Sequence, residues 1–129
     1  MKVIIAGSRG ITLFQHVSAA YIHSGFQATE LVSGMCPNSP DMLAFDLATV
    51  LGLPRPTEFP AIWRDRDGIK DPTAGFARNV KMGRYVQPDG GLIAVWDGDS
   101  NGTAHMIKTA RRFKLRVYVH KVPHDYQPL

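Results

Sequence analysis

The sequence contains a single cysteine, Cys36, among its 129 residues. An internal disulfide and a zinc site built on several thiolates are therefore excluded, and a reducing compartment suits the chain. It also lacks any uninterrupted apolar run near the roughly 20 residues that a membrane-spanning helix needs, so no membrane partner is expected. Residues 1–6 show no separate basic, apolar and cleavage regions of a signal peptide; they read as a first strand, and cytoplasmic residence is the expectation. Acidic residues are the scarcer sign, 11 against 15 lysines and arginines, which leaves a formal charge of +4. That balance raises nucleic acid as a partner.

The 44% hydrophobic content is enough for one domain, 1–129, with one sizeable core, and the 20% charged fraction does not suggest disorder. The positive charge gathers in 108–121, as Lys108, Arg111, Arg112, Lys114, Arg116 and Lys121. A solvated face accounts for the cluster: cations collect at helix C-termini because of the helix dipole, and Arg116 alternates with Val117 and Val119 as an outward strand residue does. A single-stranded DNA surface is the competing reading. The sequence leaves a homo-oligomer open.

Apolar strands alternate with helical stretches, the pattern of βαβ units around a parallel sheet. A first strand is expected at Val3, Ile4 and Ile5. Thr12 with Gln15 makes a capping box for a helix over 13–24 that Gly25 stops. Glu30, Leu31 and Val32 form the second strand. Ser39 and Pro40 supply an N-cap and first-turn proline for a helix that turns Leu43, Leu47 and Leu51 to the core and ends at Gly52. Residues 55–59 read as a short, proline-flanked edge strand. The polar stretch 64–75 buries too little apolar area to order itself and is expected to be a mobile loop. A third helix from near Pro72 or Gly75 to Tyr85, a strand over 92–96, a helix over 103–113 and a strand over 116–120 complete a three-layer α/β sandwich with a mostly parallel five-stranded sheet.

Ligands of such sheets bind at the carboxyl ends of the strands. Gly7-Ser8-Arg9, Ser33-Gly34 and 97–103 all follow strands directly, so they are expected to converge. The last of these runs Asp97-Gly98-Asp99-Ser100-Asn101-Gly102-Thr103 and opens a helix. Its two glycines admit a ligand close to the backbone, Ser100 and Thr103 offer hydroxyls, and the free N–H groups of the helix start favour an anion. Gly7 permits a tight turn, Ser8 offers a hydroxyl, and Arg9 offers a guanidinium fork for phosphate. Asp41 stands at a helix start, where it either accepts ribose hydroxyls or simply favours the dipole. Trp63 reads as a core anchor, the commoner use of a large aromatic, with stacking on a base as the other reading. Cys36 reads as an inert thiol. The histidines show no metal spacing, and neither a metal nor a cofactor is expected.

The 97–103 loop after its apolar strand resembles the phosphate loop of the SLOG superfamily. Three further segments fit a small stand-alone branch of that group: Lys2-Val3-Ile4-Ile5-Ala6-Gly7-Ser8-Arg9, Pro60-Ala61-Ile62-Trp63, and Gly75-Phe76-Ala77-Arg78-Asn79 with Met82. In order, they cover nearly the whole chain. The resemblance implies a Rossmann-like fold related to the Lonely Guy phosphoribohydrolases, DNA-processing protein A and the molybdenum cofactor carriers. It also implies a ligand-site role for Arg78 and Asn79, with Arg78 as a phosphate or carboxylate clamp.

Two departures bear on activity. Relatives resemble Ser-Gly-Gly-Ala-x-Gly-x-Asp in the second loop, where this chain has Met35 and Ser39 at expected glycines and reads as one residue longer. Phosphoribohydrolases resemble Pro-Gly-Gly-x-Gly-Thr-x-x-Glu in the phosphate loop, and here Met106 stands where that glutamate takes part in N-glycosidic cleavage. A thioether does no acid–base chemistry. The expectation is thus a protein that binds a nucleotide or nucleotide-derived signal, as sensor or sequestering protein. The enzyme alternative is a nucleoside monophosphate N-glycosidase using Asp97 or Asp99.

Overall fold

The computed structural model describes residues 1–64, 68 and 71–123. Its elements follow in strict alternation: β1 (Lys2–Gly7), α1 (Phe14–Ser24), β2 (Glu30–Ser33), α2 (Pro40–Leu51), β3 (Thr57–Glu58), α3 (Ala74–Val86), β4 (Gly91–Trp96), α4 (Asn101–Arg112) and β5 (Arg116–Lys121). The strands form one sheet in the order β3-β2-β1-β4-β5, and every pairing is parallel. This is a three-layer, Rossmann-like α/β sandwich.

Strand periodicity divides the core in two, because successive side chains point to opposite faces. Val3, Ile5, Ile93 and Val95 pack with Val17 and Ala20 of α1 and with Ala44, Leu47 and Ala48 of α2. Ile4, Ala6, Leu92 and Ala94 pack instead with Met82 and Val86 of α3 and with Met106, Ile107 and Ala110 of α4. The central strands β1 and β4 are buried on both faces, which is why they read as continuous apolar runs. Burial of each large aliphatic side chain there contributes about 1.5–3 kcal/mol.

Local signals set the helix ends, with one correction. Ser39 caps α2 by accepting the Asp41 N–H at 3.1 Å, Pro40 takes the first turn, and Gly52 ends the helix at a φ of 69°. Gly25 ends α1 in the same left-handed conformation. The capping box expected from Thr12 and Gln15 does not form. Leu13 is the N-cap of α1 and no side chain bonds there. Ile11 is fully buried, and drawing it inward leaves Thr12 exposed outside the helix. The edge strand β3 shrinks to two residues, since Pro56 and Pro60 on either side have no N–H to give a ladder. Much of the loop expected to be mobile over 64–75 lies outside the described residues.

Helix α4 ends without a glycine. The Leu115 N–H reaches Ala110 O at 3.0 Å and the Lys114 N–H reaches Arg111 O at 3.0 Å, a Schellman pair that puts Lys114 in the left-handed region at a φ of 59°. A side chain is strained there. Lys114→Gly is expected to stabilise the fold by about 0.5–1 kcal/mol, the released strain slightly exceeding the added freedom of the unfolded chain. Urea unfolding checks this as a higher midpoint at unchanged slope; a lower midpoint would show that the strain is not there.

Candidate functional site

The chain leaves β1 toward α1 on one face and leaves the adjacent β4 toward α4 on the other, so a crevice opens between their carboxyl ends. Gly7 closes the floor of this crevice. A side chain on it would run into the Val95 carbonyl oxygen and the Pro40 ring, so only glycine lets these backbones approach. The next residue ties the two loops together: the Ser8 N–H bonds to Val95 O at 3.0 Å, and the buried Ser8 hydroxyl accepts the Asp97 N–H at 3.0 Å. Beyond it, one Asp97 carboxylate oxygen accepts the N–H groups of Asp99 and Ser100, both at 2.8 Å, while the Trp96 indole donates to Ser100 O at 3.1 Å. The loop is thereby fixed in front of α4, whose start carries no side-chain cap. A Cβ on Gly102 would meet nothing within 4 Å, so the first turn of α4 faces open space.

The opposite wall comes from the β2–α2 loop. Ser33 is buried and gives its hydroxyl to Asp41 O at 2.7 Å while accepting the Met35 N–H. The Ser39 hydroxyl donates to Cys36 O at 2.8 Å. Met35 adopts a φ of 64° and Asn38 a φ of 54°, so the backbone keeps a shape that suits glycine although side chains are present. Asp41 is only 4% exposed, and its carboxylate accepts the Cys36 N–H at 3.2 Å. Burial pushes its carboxyl above the ordinary value, while the Arg78 guanidinium and the backbone of Cys36 and Gly7 pull the other way. Arg78 reaches across from α3 to donate to the Gly34 carbonyl, and a side chain on Gly34 would occupy the guanidinium's place.

Between α3 and α4 the polar groups form a chain of fixed sense. Arg78 Nε donates to Asn79 Oδ1 at 3.0 Å, and Asn79 Nδ2 donates to Gly102 O at 3.3 Å. These two partners settle which way the amide points. Its Nδ2 also faces His105 Nδ1 at 3.1 Å, so that ring nitrogen is the acceptor and the proton sits on Nε2. The Phe76 ring stacks on His105 with centroids 4.2 Å apart.

Together these walls enclose a cleft of about 390 Å³. Of the residues expected from sequence, Gly7, Arg9, Asp41, Arg78, Asn79, Ser100, Gly102 and Thr103 line it. Ser8, Ser33, Gly34, Asp97 and Gly98 do not face the cleft and instead shape the loops that do. Gly98 takes a φ of 92°, and a side chain there would also crowd Lys121. On the aromatic side of the cleft, the sequence favours the core-anchor reading of Trp63 over stacking and assigns Phe76 no role. Trp63, expected as a core anchor, is 46% exposed and lines it together with Phe76, which is 43% exposed. The signal available was Gly75, directly before Phe76 at a helix start. Met82 and Met106 supply an apolar floor.

Among the described residues, no group of three His, Cys, Asp or Glu side chains is placed to hold a metal ion, and no helix is long and apolar enough to cross a membrane. No protein-family model, no curated protein and no solved structure matches the chain.

His105 gives the site a pH dependence of defined sign. Burial, then the charges of Arg112 and Lys108, hold its pKa below the ordinary 6.5. A histidine whose folded pKa is depressed binds fewer protons folded than unfolded, so its contribution is intact above 6.5 and lost as pH falls through that value toward the folded pKa. Protonation also puts a hydrogen on Nδ1, where Asn79 already donates. A nitrogen-detected NMR titration is expected to place the His105 midpoint below 6.5, with the Nε2–H tautomer above it. A midpoint above 6.5 would contradict the described hydrogen bonding.

Proposed function

We propose that this chain is a SLOG-like domain that binds a nucleotide or nucleotide-derived signal in the cytoplasm and senses or sequesters it rather than converting it. The observation that carries the reading is the cleft at the β1–β4 crossover, where the uncapped start of α4, Arg9 and Arg78 border one space. Helix N–H groups with a positive dipole end suit a phosphate, the exposed Arg9 guanidinium adds a bidentate donor, and Arg78, whose Nε and one terminal nitrogen are already bonded, adds positive charge. Asp41 offers an acceptor for sugar hydroxyls on the same wall. The volume, about 390 Å³, lies toward the small end of the range for ligand pockets, roughly 300–1,000 Å³, and suits a mononucleotide.

Met106 argues against the hydrolase alternative. It is 1% exposed, packed in the α3–α4 core and part of the apolar floor of the cleft, so a thioether stands where a glycosidase needs a carboxylate. Most of the basic segment lies away from the cleft, with only Lys121 at the carboxyl edge, beside Gly98. Helix α4 runs antiparallel to the strands, so Arg111, Arg112, Lys114 and Arg116 gather at the other end of the sheet, all exposed.

Calorimetry with nucleoside monophosphates tests the binding reading. Arg9 is exposed and, among the described residues, its guanidinium bonds only to the Cys36 sulfur, at 3.6 Å, so Arg9→Ala is expected to weaken binding by about 1.5–3 kcal/mol with little change in melting. Arg78→Ala is expected to weaken binding equally and to lower stability as well, because it removes the positive charge beside buried Asp41. Gly102→Glu is expected to abolish binding in a folded protein, since its side chain would enter the open space before α4. Unchanged affinity in all three variants would place any binding site elsewhere.

Catalysis is tested separately by chromatography. The chain is expected to release no free base from nucleoside monophosphates above background. Met106→Glu buries a carboxyl, and it is expected to lower the melting temperature and to yield at most weak activity. Robust base release by the unaltered protein, lost in Asp97→Asn or Asp99→Asn, would establish the hydrolase instead.

A further inference from the structure

Two large aromatic side chains border the cleft although neither belongs to a core. Trp63 and Phe76 are both exposed; Phe76 lies in the first turn of α3, and Trp63, in the loop before it, packs its ring over Gly75. Exposed aromatics scattered over a surface need no explanation, but this pair is held in place by specific contacts. Backbone bonds fix the position of Trp63: its carbonyl accepts the Asp71 N–H at 2.6 Å. Asp71 in turn is fixed by accepting both the N–H and the hydroxyl of Thr73, at 2.9 and 2.7 Å, in the turn that begins α3. The benzo edge of the indole rests over Gly75. A Cβ there would lie 3.2 Å from the indole Cη2 and 3.7 Å from Cζ2, so a methyl group would make the ring give by a few tenths of an ångström and a bulky side chain would displace it. Phe76 is held from its other side by stacking on His105 of α4.

Among the described residues, Arg78 and Asn79, the polar side chains on α3 next to the rings, are already engaged. Asn79 gives its amide to Gly102 and His105 and takes the Arg78 Nε, while Arg78 also serves Gly34. What this end of the cleft offers a ligand is therefore flat apolar area rather than an edge-reading code. The phosphate-binding features lie elsewhere in the same cleft, at Arg9 and the start of α4.

We infer that Trp63, seated on Gly75 and flanked by Phe76, is a stacking platform for the base of a mononucleotide whose phosphate lies toward Arg9 and α4. The inference rests on the nucleotide-binding reading above and specifies its second half: the ligand carries a planar aromatic ring, and that ring is recognised by its face. Base–aromatic stacking tolerates different bases because each has a π-face. Selectivity therefore falls between ligands with and without a base, more than among bases.

The test compares adenosine 5′-monophosphate with ribose 5-phosphate by calorimetry, on the whole chain and on Trp63→Ala and Trp63→Phe. The parent protein is expected to bind the nucleotide about 10- to 100-fold more tightly than the sugar phosphate. Trp63→Ala is expected to remove most of that difference by weakening the nucleotide alone, and Trp63→Phe to retain a good part of it. Gly75→Leu, which unseats the indole without removing it, is expected to act like Trp63→Ala. Circular dichroism confirms folding of each variant. Equal affinity of the parent for the two ligands, or an equal loss of both in Trp63→Ala, overturns the platform while leaving the phosphate site standing. Absence of binding to either ligand overturns the nucleotide reading itself and the platform with it.

Discussion

The close approach of β1 and β4 at their carboxyl ends is the constraint on which the rest of the molecule's functional edge depends. Parallel strands whose chains depart to opposite faces leave a gap between the departing loops, and the width of that gap is set by backbone sterics. Here it is set by Gly7, which has the Val95 carbonyl on one side and Pro40 on the other. Ser8 then locks the loops together through its backbone N–H and its hydroxyl. Because Ser8 is fully buried, those bonds are protected from competition by water. The start of α4 and the start of α2 consequently face one another across a fixed distance, without any contact between the helices themselves being required.

A second layer of order follows from a charge that is kept dry. Asp41 is buried at the head of α2, and Arg78 on α3 is the cation beside it, so the two faces of the sheet are coupled electrostatically over its carboxyl edge. Arg78 hands the constraint to Asn79, and Asn79 passes it to Gly102 and His105 of α4. Each member of this chain has its donors and acceptors matched to its neighbours, which makes a polar network rigidifying rather than costly. The same network leaves one wall of the cleft with its polar capacity filled and its apolar rings outward.

The architecture was legible in the sequence because its signals are local and redundant. Continuous apolar runs at 3–6 and 92–95 require a sheet covered on both faces, and Ser39-Pro40, Gly25 and Gly52 mark helix ends through conformations those residues favour. The cap of α1 was misread for a physical reason: Thr12 has the right chemistry, but burial of Ile11 next to it decides where the helix begins. In the same way, Lys114 gives no hint of a left-handed cap, since the packing of Leu115 against the α3–α4 core imposes it.

The site was only half legible, and the division is instructive. Residues that act through backbone shape or charge next to a strand end, such as Gly7, Arg9 and Gly102, can be found because strand ends can be found. For Trp63 the sequence could not decide between core and cleft, since its place depends on a turn around Asp71 and on an empty Cβ at Gly75, neither of which has a periodic signature. Met35 shows the converse. The sequence suggests a loop reshaped by the loss of a glycine, yet at a φ of 64° the methionine takes a conformation that glycine accepts freely. The loop keeps its path and accepts local strain instead, held by the Ser33 hydroxyl on the Met35 N–H and by Asp41 on the Cys36 N–H. A side chain thus stands where a glycine would leave space, while the backbone still presents Asp41 to the cleft. Met35 itself does not line the cleft, so this combination leaves the polar groups of the cleft in place while the side chain is accommodated outside it.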